Sequence, residues 1–135
     1  MNTAFSTTPL LLFTAIATGA AIGGAIRFLL AEAAARRFGS KLPGTLAANM
    51  IACFIAGVAF AVWPQGTSAS GGAIGYAAVM VGLAGGTSTW STLAGEVGQR
   101  LSQHFWRAFA YLVLTLIGGA ACAFAGVNLP PILGF

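Results

Sequence analysis

Gly82-Leu83-Ala84-Gly85-Gly86-Thr87-Ser88-Thr89-Trp90-Ser91-Thr92 lies inside an apolar segment that runs from about Ala73 to Glu96. Glycine loses more backbone entropy in a helix than any other residue, so Gly85-Gly86 is a poor place to continue one. Five hydroxyl residues follow, interrupted only by Trp90. In lipid they are costly unless something polar faces them. A helix broken at membrane depth survives only where it is buried in protein or lines a wet cavity. Such breaks free carbonyls and half-helix ends that coordinate ions. The stretch therefore reads as the functional centre of a membrane protein that handles an ion, with the helix expected to break at Gly85-Gly86.

Composition supports the membrane class. The chain is 58% hydrophobic and 6% charged over 135 residues, against about a quarter charged in soluble domains. Such a chain has too little polar surface to stay in water. The formal charge of +4 comes from Lys and Arg spread along the sequence, not from a nucleic-acid patch. No His/Cys/carboxylate cluster suits zinc, and His104 reads as a solvated loop residue. Cys53 and Cys122 fall in apolar spans, where buried thiols are the favoured reading over a disulfide. An enzyme is disfavoured: Ser91 and His104 have no aspartate to complete a triad, because the chain contains none.

Four membrane spans are expected, at 9–30, 44–63, 73–98 and 105–127, giving an all-α fold within one transmembrane domain. Pro9 suits the first turn of a helix. Leu10 to Leu30 has no basic residue before Arg27 and is too long for a signal-peptide core, so it reads as a retained span. Gly19, Ala20, Gly23, Gly24 and Ala25 permit close helix packing. Arg27 is read first as a snorkelling interfacial residue, second as a cation at the entrance of an anion path. Pro43-Gly44-Thr45 opens the second span. Asn49 within it is either glue between helices or a donor to a dehydrated anion, and spacing alone does not choose. Trp63-Pro64 reads as an interfacial anchor and stop, followed by an uncharged loop at 65–72. Glu96 lies near the far interface, where an i,i+4 pair with Arg100 is the simpler account and a polar path the alternative. Tyr111 and Thr115 share a face of the fourth span, and Pro130-Pro131 is expected to end its helix.

Four spans put both termini on one side. Arg27, Arg36, Arg37 and Lys41 then cluster at the first connection, and Arg100 and Arg107 flank the third, so all six Lys/Arg face one side. The positive-inside rule places both termini outside, with one fixed orientation in a bacterial inner membrane.

These residues resemble a known family. Gly85-Gly86-Thr87-Ser88-Thr89-Trp90-Ser91-Thr92-Leu93-x-x-Glu96 is similar to the third-helix signature of the CrcB/Fluc fluoride channels. Gly24-Ala25-Ile26-Arg27 and Pro43-Gly44-Thr45-Leu46-x-x-Asn49 match that family's patterns in the first two spans. The resemblance implies an antiparallel dimer with fluoride pores and a central structural Na⁺. It implies that Asn49 donates to fluoride and that the Gly85 and Ser88 backbone carbonyls hold Na⁺. Trp90 and Leu93 fall where the family has paired pore phenylalanines. Ser91, Thr92, Tyr111 and Thr115 resemble its polar track, with Glu96 at the track's end. The implied function is passive export of fluoride, and the partners are fluoride, membrane lipid and a second subunit.

Two features depart from the pattern. Leu93 has no positive aromatic edge to offer an anion, and Trp90 is larger, with an indole N–H donor. The Lys/Arg bias also opposes insertion of the same chain in both orientations, so an oppositely oriented paralogous partner is expected. A non-conducting partner subunit is the alternative. A small multidrug-type exchanger is less favoured, because no acid occurs between Pro9 and Leu30.

Overall fold

The structure, a computed structural model, describes residues 7–63, 70–102 and 104–133. Among the described residues every regular element is a helix: α1 (Thr7–Phe38), α2 (Leu42–Val62), α3 (Ser70–Ala77), a π-helical stretch (Ala78–Ala84), α4 (Gly85–Thr87), α5 (Trp90–Leu101) and α6 (Phe105–Leu133). Part of the expected 65–72 loop lies outside the described residues, and helix has already begun at Ser70.

Local chemistry sets the ends. α1 runs on past Leu30 to Phe38 through alanines and an i,i+4 pair, Glu32 to Arg36 at 3.4 Å. Gly39 then turns left-handed (φ +67°), and its N–H donates to Ala35 O at 2.9 Å. Pro43 sits in the first turn of α2, where no N–H is needed. α2 stops at Trp63, whose ring lies over Gly75. His104 precedes α6 and is exposed, and its carbonyl accepts from the N–H groups of Arg107 and Ala108, each at 3.0 Å.

Two expectations are corrected. The helix does not break at Gly85-Gly86: Gly85 is helical (φ −62°, ψ −40°) and α4 continues to Thr87. The break falls at Ser88 (ψ 152°) and Thr89 (φ −151°, ψ 114°), both extended. Gly86 serves packing instead, because a Cβ there would lie 2.5 Å from Ala20 O on α1. Pro130-Pro131 does not end α6, which carries both prolines inside and reaches Leu133. Proline's fixed φ is helical, and its missing N–H forfeits bonds only in the last turns.

Close approach at small residues holds the bundle, as expected where lipid removes the hydrophobic drive. The most extensive pairing is α2 on α6, with Gly57 seated against Ala123 and Gly126 against Phe54. Leu42 meets Tyr111, Cys53 meets Gly119 and Gly57 meets Ala123, so the two helices run parallel. α1 runs parallel to residues 70–87, since Leu11 shares a groove with Ile74 and Ala20 meets Gly86. α2 opposes α1, with Leu30 against Gly44, and opposes the 78–88 stretch, with Asn49 on Thr89 and Ala56 near Met80. Direction thus alternates along the chain. Among the described residues three helices are long and apolar enough to cross a membrane: Pro9–Phe38, Leu42–Val62 and Phe105–Ile132. α2 is the most enclosed, with 33% of its most apolar window buried against 6% for α1 and 17% for α6. Both cysteines are free thiols and half-buried.

Candidate functional site

Asn49 meets the break at Ser88-Thr89. Its Oδ1 accepts from Thr89 N–H at 2.8 Å and from Ser88 Oγ at 3.2 Å. A backbone N–H can only donate, so the amide atom facing it is the oxygen. The NH₂ therefore faces away from the break, and among the described residues it has no hydrogen-bond acceptor. Thr89 then caps α5: its Oγ1 accepts from Thr92 N–H at 3.2 Å and donates to Thr92 Oγ1 at 2.9 Å. Thr87, fully buried, returns its hydroxyl to Leu83 O at 2.8 Å.

These diversions act on two carbonyls. In an unbroken helix Gly85 O would accept from Thr89 N–H, and Ser88 O from Thr92 N–H. Both amides donate elsewhere. Gly85 and Ser88 line one groove of about 200 Å³ with Ala52, Cys53, Ala56 and Met80. A cavity of about 110 Å³ lies on the other side, lined by Asn49, Cys53, Ser88, Thr89, Trp90, Leu93 and Thr115 among others. Most of that lining is apolar, so its few polar groups meet a guest with little competition from water.

A second polar cluster lies one helical turn and more away. The Glu96 carboxylate accepts from Thr45 Oγ1 at 2.9 Å and from Tyr111 OH at 2.8 Å. It turns into the bundle rather than toward Arg100, whose Nη1 donates to the Glu96 backbone carbonyl at 3.1 Å. The simple i,i+4 side-chain pair is thus replaced by a carboxylate held by two hydroxyls from α2 and α6. Charge-assisted bonds of this kind are about twice as strong as neutral ones.

The sequence-derived residues separate into groups. Asn49, Ser88, Trp90, Leu93 and Thr115 border the small cavity. Leu93 is buried, whereas Trp90 is 67% exposed on the outer face of α5. Thr115 is buried, but its hydroxyl donates to Tyr111 O at 2.8 Å. Ser91 and Thr92 are exposed beside Thr89, with Ser91 Oγ 3.4 Å from Thr89 Oγ1. Tyr111 and Glu96 belong to the second cluster. Arg27 is half-buried on α1 and borders neither the small cavity nor the carbonyl groove. Sequence reasoning named neither Thr45 nor Cys53 as a site residue and read Thr89 only as one of a run of hydroxyls. Thr45 and Asn49, four apart on α2, share a face, which is the signal that would have linked the two clusters.

Helices long and apolar enough to cross a membrane, one interrupted chain segment and a buried amide at the interruption define a multi-pass helical membrane protein. A family model described as "CrcB-like protein, Camphor Resistance (CrcB)" matches residues 14–127. The chain is 34% identical to Fluoride-specific ion channel FluC 2 of Corynebacterium diphtheriae, over 85% of this chain and 97% of that protein. It is 36% identical to Fluoride-specific ion channel FluC of Roseiflexus, covering 88% and 96% of the two chains. A FluC 1 from Streptococcus pneumoniae is also 36% identical, covering 88% and 98%. The chain belongs to the CrcB family, and these relatives are named as ion channels, not as enzymes.

Proposed function

We propose that this chain is a subunit of a fluoride-selective channel that lets fluoride leave the cell passively down its electrochemical gradient. One observation carries the reading: Thr89 N–H pins Asn49 Oδ1, which leaves the Asn49 NH₂ as the donor beside an apolar cavity. Fluoride is a small, strongly hydrated anion, so a pore must replace its water with N–H and O–H donors and still release it. Asn49 supplies the N–H groups. Ser91 and Thr92 supply hydroxyls near it, and Thr45, Tyr111 and Glu96 continue the polar surface along the bundle. The indole N–H of Trp90 takes the place of an aromatic edge.

Residues 70–101 act as the fourth crossing. The parallel course of α2 and α6 supports this, since the chain must return between them. Two subunits pack antiparallel, and the partner covers the exposed Trp90 face. The Gly85 and Ser88 carbonyls fit a hard monovalent cation: they are uncharged oxygens whose helical amide partners donate elsewhere. Na⁺ held there supplies fixed positive charge at the centre of the dimer. The Lys/Arg distribution supports one orientation in the inner membrane with both termini outside, and an oppositely oriented paralogous partner.

Fluoride efflux from liposomes, with chloride as control, tests the reading. The purified chain is reconstituted alone and with an oppositely biased relative. Selective fluoride efflux in either preparation, abolished by substitution of Asn49, is the expected result. No fluoride efflux in both preparations overturns the channel reading. Efflux from the chain alone keeps the channel and removes the need for a paralogous partner.

A further inference from the structure

The hairpin between α1 and α2 encloses an open groove of about 400 Å³ that the ion path does not use. Its walls include Leu30, Ala33, Phe38, Pro43 and Ala47, and Arg37 stands at its rim. One wall is a close backbone approach: a Cβ on Gly44 would lie 2.5 Å from Leu30 O and 2.6 Å from Ala31 Cα. Phe38 is 66% exposed at its edge.

Charge says what the groove accepts. Arg36, Arg37 and Lys41 lie within one hairpin turn of each other. Among the described residues Arg36 pairs with Glu32 at 3.4 Å, while Arg37 and Lys41 have no acidic partner. Because α2 and α6 run parallel, Arg100 and Arg107 lie at this same end of the bundle. An apolar trough with the unpaired Arg37 at its rim, and Lys41 two residues before its wall residue Pro43, matches an anionic amphiphile: acyl chain along the helices, phosphate at the guanidinium. Basic pockets between transmembrane helices bind anionic headgroups in this way, each nearby cation contributing about 1 kcal/mol.

The geometry points to a binding site for an anionic phospholipid in the α1–α2 groove, its phosphate held by Arg37 and Lys41. Assignment of the site to the cytoplasmic leaflet rests on the orientation proposed above. The binding itself does not, so it is measured in detergent without fluoride transport.

The purified full chain is titrated with phosphatidylglycerol or phosphatidylcholine, and retained lipid is counted by native mass spectrometry alongside thermal unfolding. Phosphatidylglycerol is expected to be retained and to raise the unfolding midpoint, and phosphatidylcholine to do neither. Arg37→Gln and Lys41→Gln should each weaken retention about fivefold, Arg37→Lys should preserve it, and Arg107→Gln should leave it unchanged. Ala33→Trp, which fills the trough and keeps the charges, should abolish it. Equal retention of both lipids overturns the proposal, as does undiminished retention in the Arg37→Gln/Lys41→Gln double variant. Equal stabilisation by inorganic phosphate would reduce the site to an anion site without an acyl chain, and overturns it too. If Ala33→Trp instead dissociates a dimer while lipid retention persists, the groove belongs to a second copy and the proposal fails.

Discussion

The proposed function gives Asn49 two separable jobs, and two substitutions divide them. Its oxygen satisfies Thr89 N–H at 2.8 Å, and Thr89 is only 6% exposed. Asn49→Ala removes that acceptor. A buried donor left without a partner costs about 1–3 kcal/mol, and the Ser88 hydroxyl loses the same acceptor. Asn49→Asp keeps an oxygen facing Thr89 N–H, and a charged acceptor there strengthens the bond. It also replaces the NH₂ with an acceptor that repels anions. The expected order of unfolding resistance in detergent is therefore wild type and Asn49→Asp together, with Asn49→Ala lower by about 1–3 kcal/mol. The expected order of fluoride efflux at pH 8 is different: wild type active, both variants silent. Urea or dodecyl sulfate titration reads the first order, and a fluoride electrode on liposomes reads the second. Two results would refute the reasoning. One is an Asn49→Asp channel with wild-type efflux, since then the NH₂ is not the donor. The other is an Asn49→Ala variant of undiminished stability, since then Oδ1 does not hold the break.

Three further outcomes are expected. Gly86→Ala should destabilise the bundle by about 1–3 kcal/mol by overpacking against Ala20, whereas at Gly85 a Cβ meets nothing nearer than Met80 O at 4.0 Å. Gly85→Ala should thus be neutral or stabilising by up to about 1 kcal/mol in the same unfolding titration. Tyr111→Phe and Thr45→Val each remove one hydroxyl from Glu96, at about 1.5–3 kcal/mol apiece. Their double-mutant cycle should show a coupling of at least about 0.5 kcal/mol, because both act on one carboxylate. Gly57→Leu should separate α2 from α6, since even a Cβ at that position collides with Ala123, and size-exclusion chromatography should then report aggregated or misassembled protein.

Much of this was legible before any coordinates. Apolar run lengths locate α1, α2 and α6, because membrane thickness fixes helix length almost regardless of tertiary detail. The polar stretch after Gly86 announces an interruption, because unpaired hydroxyls in an apolar segment demand partners. The interruption lies three residues beyond the glycine pair for a physical reason. Glycine weakens a helix only by tenths to about one kcal/mol, and Asn49, far away in sequence, competes for Thr89 N–H. Only a tertiary contact decides that competition. Gly86 was instead needed for the approach of Ala20, a use of glycine that looks identical in sequence. Glu96 illustrates the same limit. Its neighbour Arg100 stands at the helical spacing for an ion pair, yet two hydroxyls from other helices win the carboxylate. Pro130-Pro131 shows the opposite case, in which a strong local stop signal yields because so few helical bonds remain to be lost.

Cys53 and Ser88 border both the amide-lined cavity and the carbonyl groove. On the proposed function, the partition between the anion-binding and cation-binding surfaces is therefore a pair of small side chains. Both surfaces issue from one rupture of the backbone: the amide that Thr89 gives to Asn49 is the amide that Gly85 O does without. On that proposal the two affinities are not independent variables. A substitution that repairs the helix would extinguish cation and anion recognition together, and one that shifts the rupture by a residue would move both. Sequence change at this position can preserve the pair or lose it, but has no easy route to tuning one member alone.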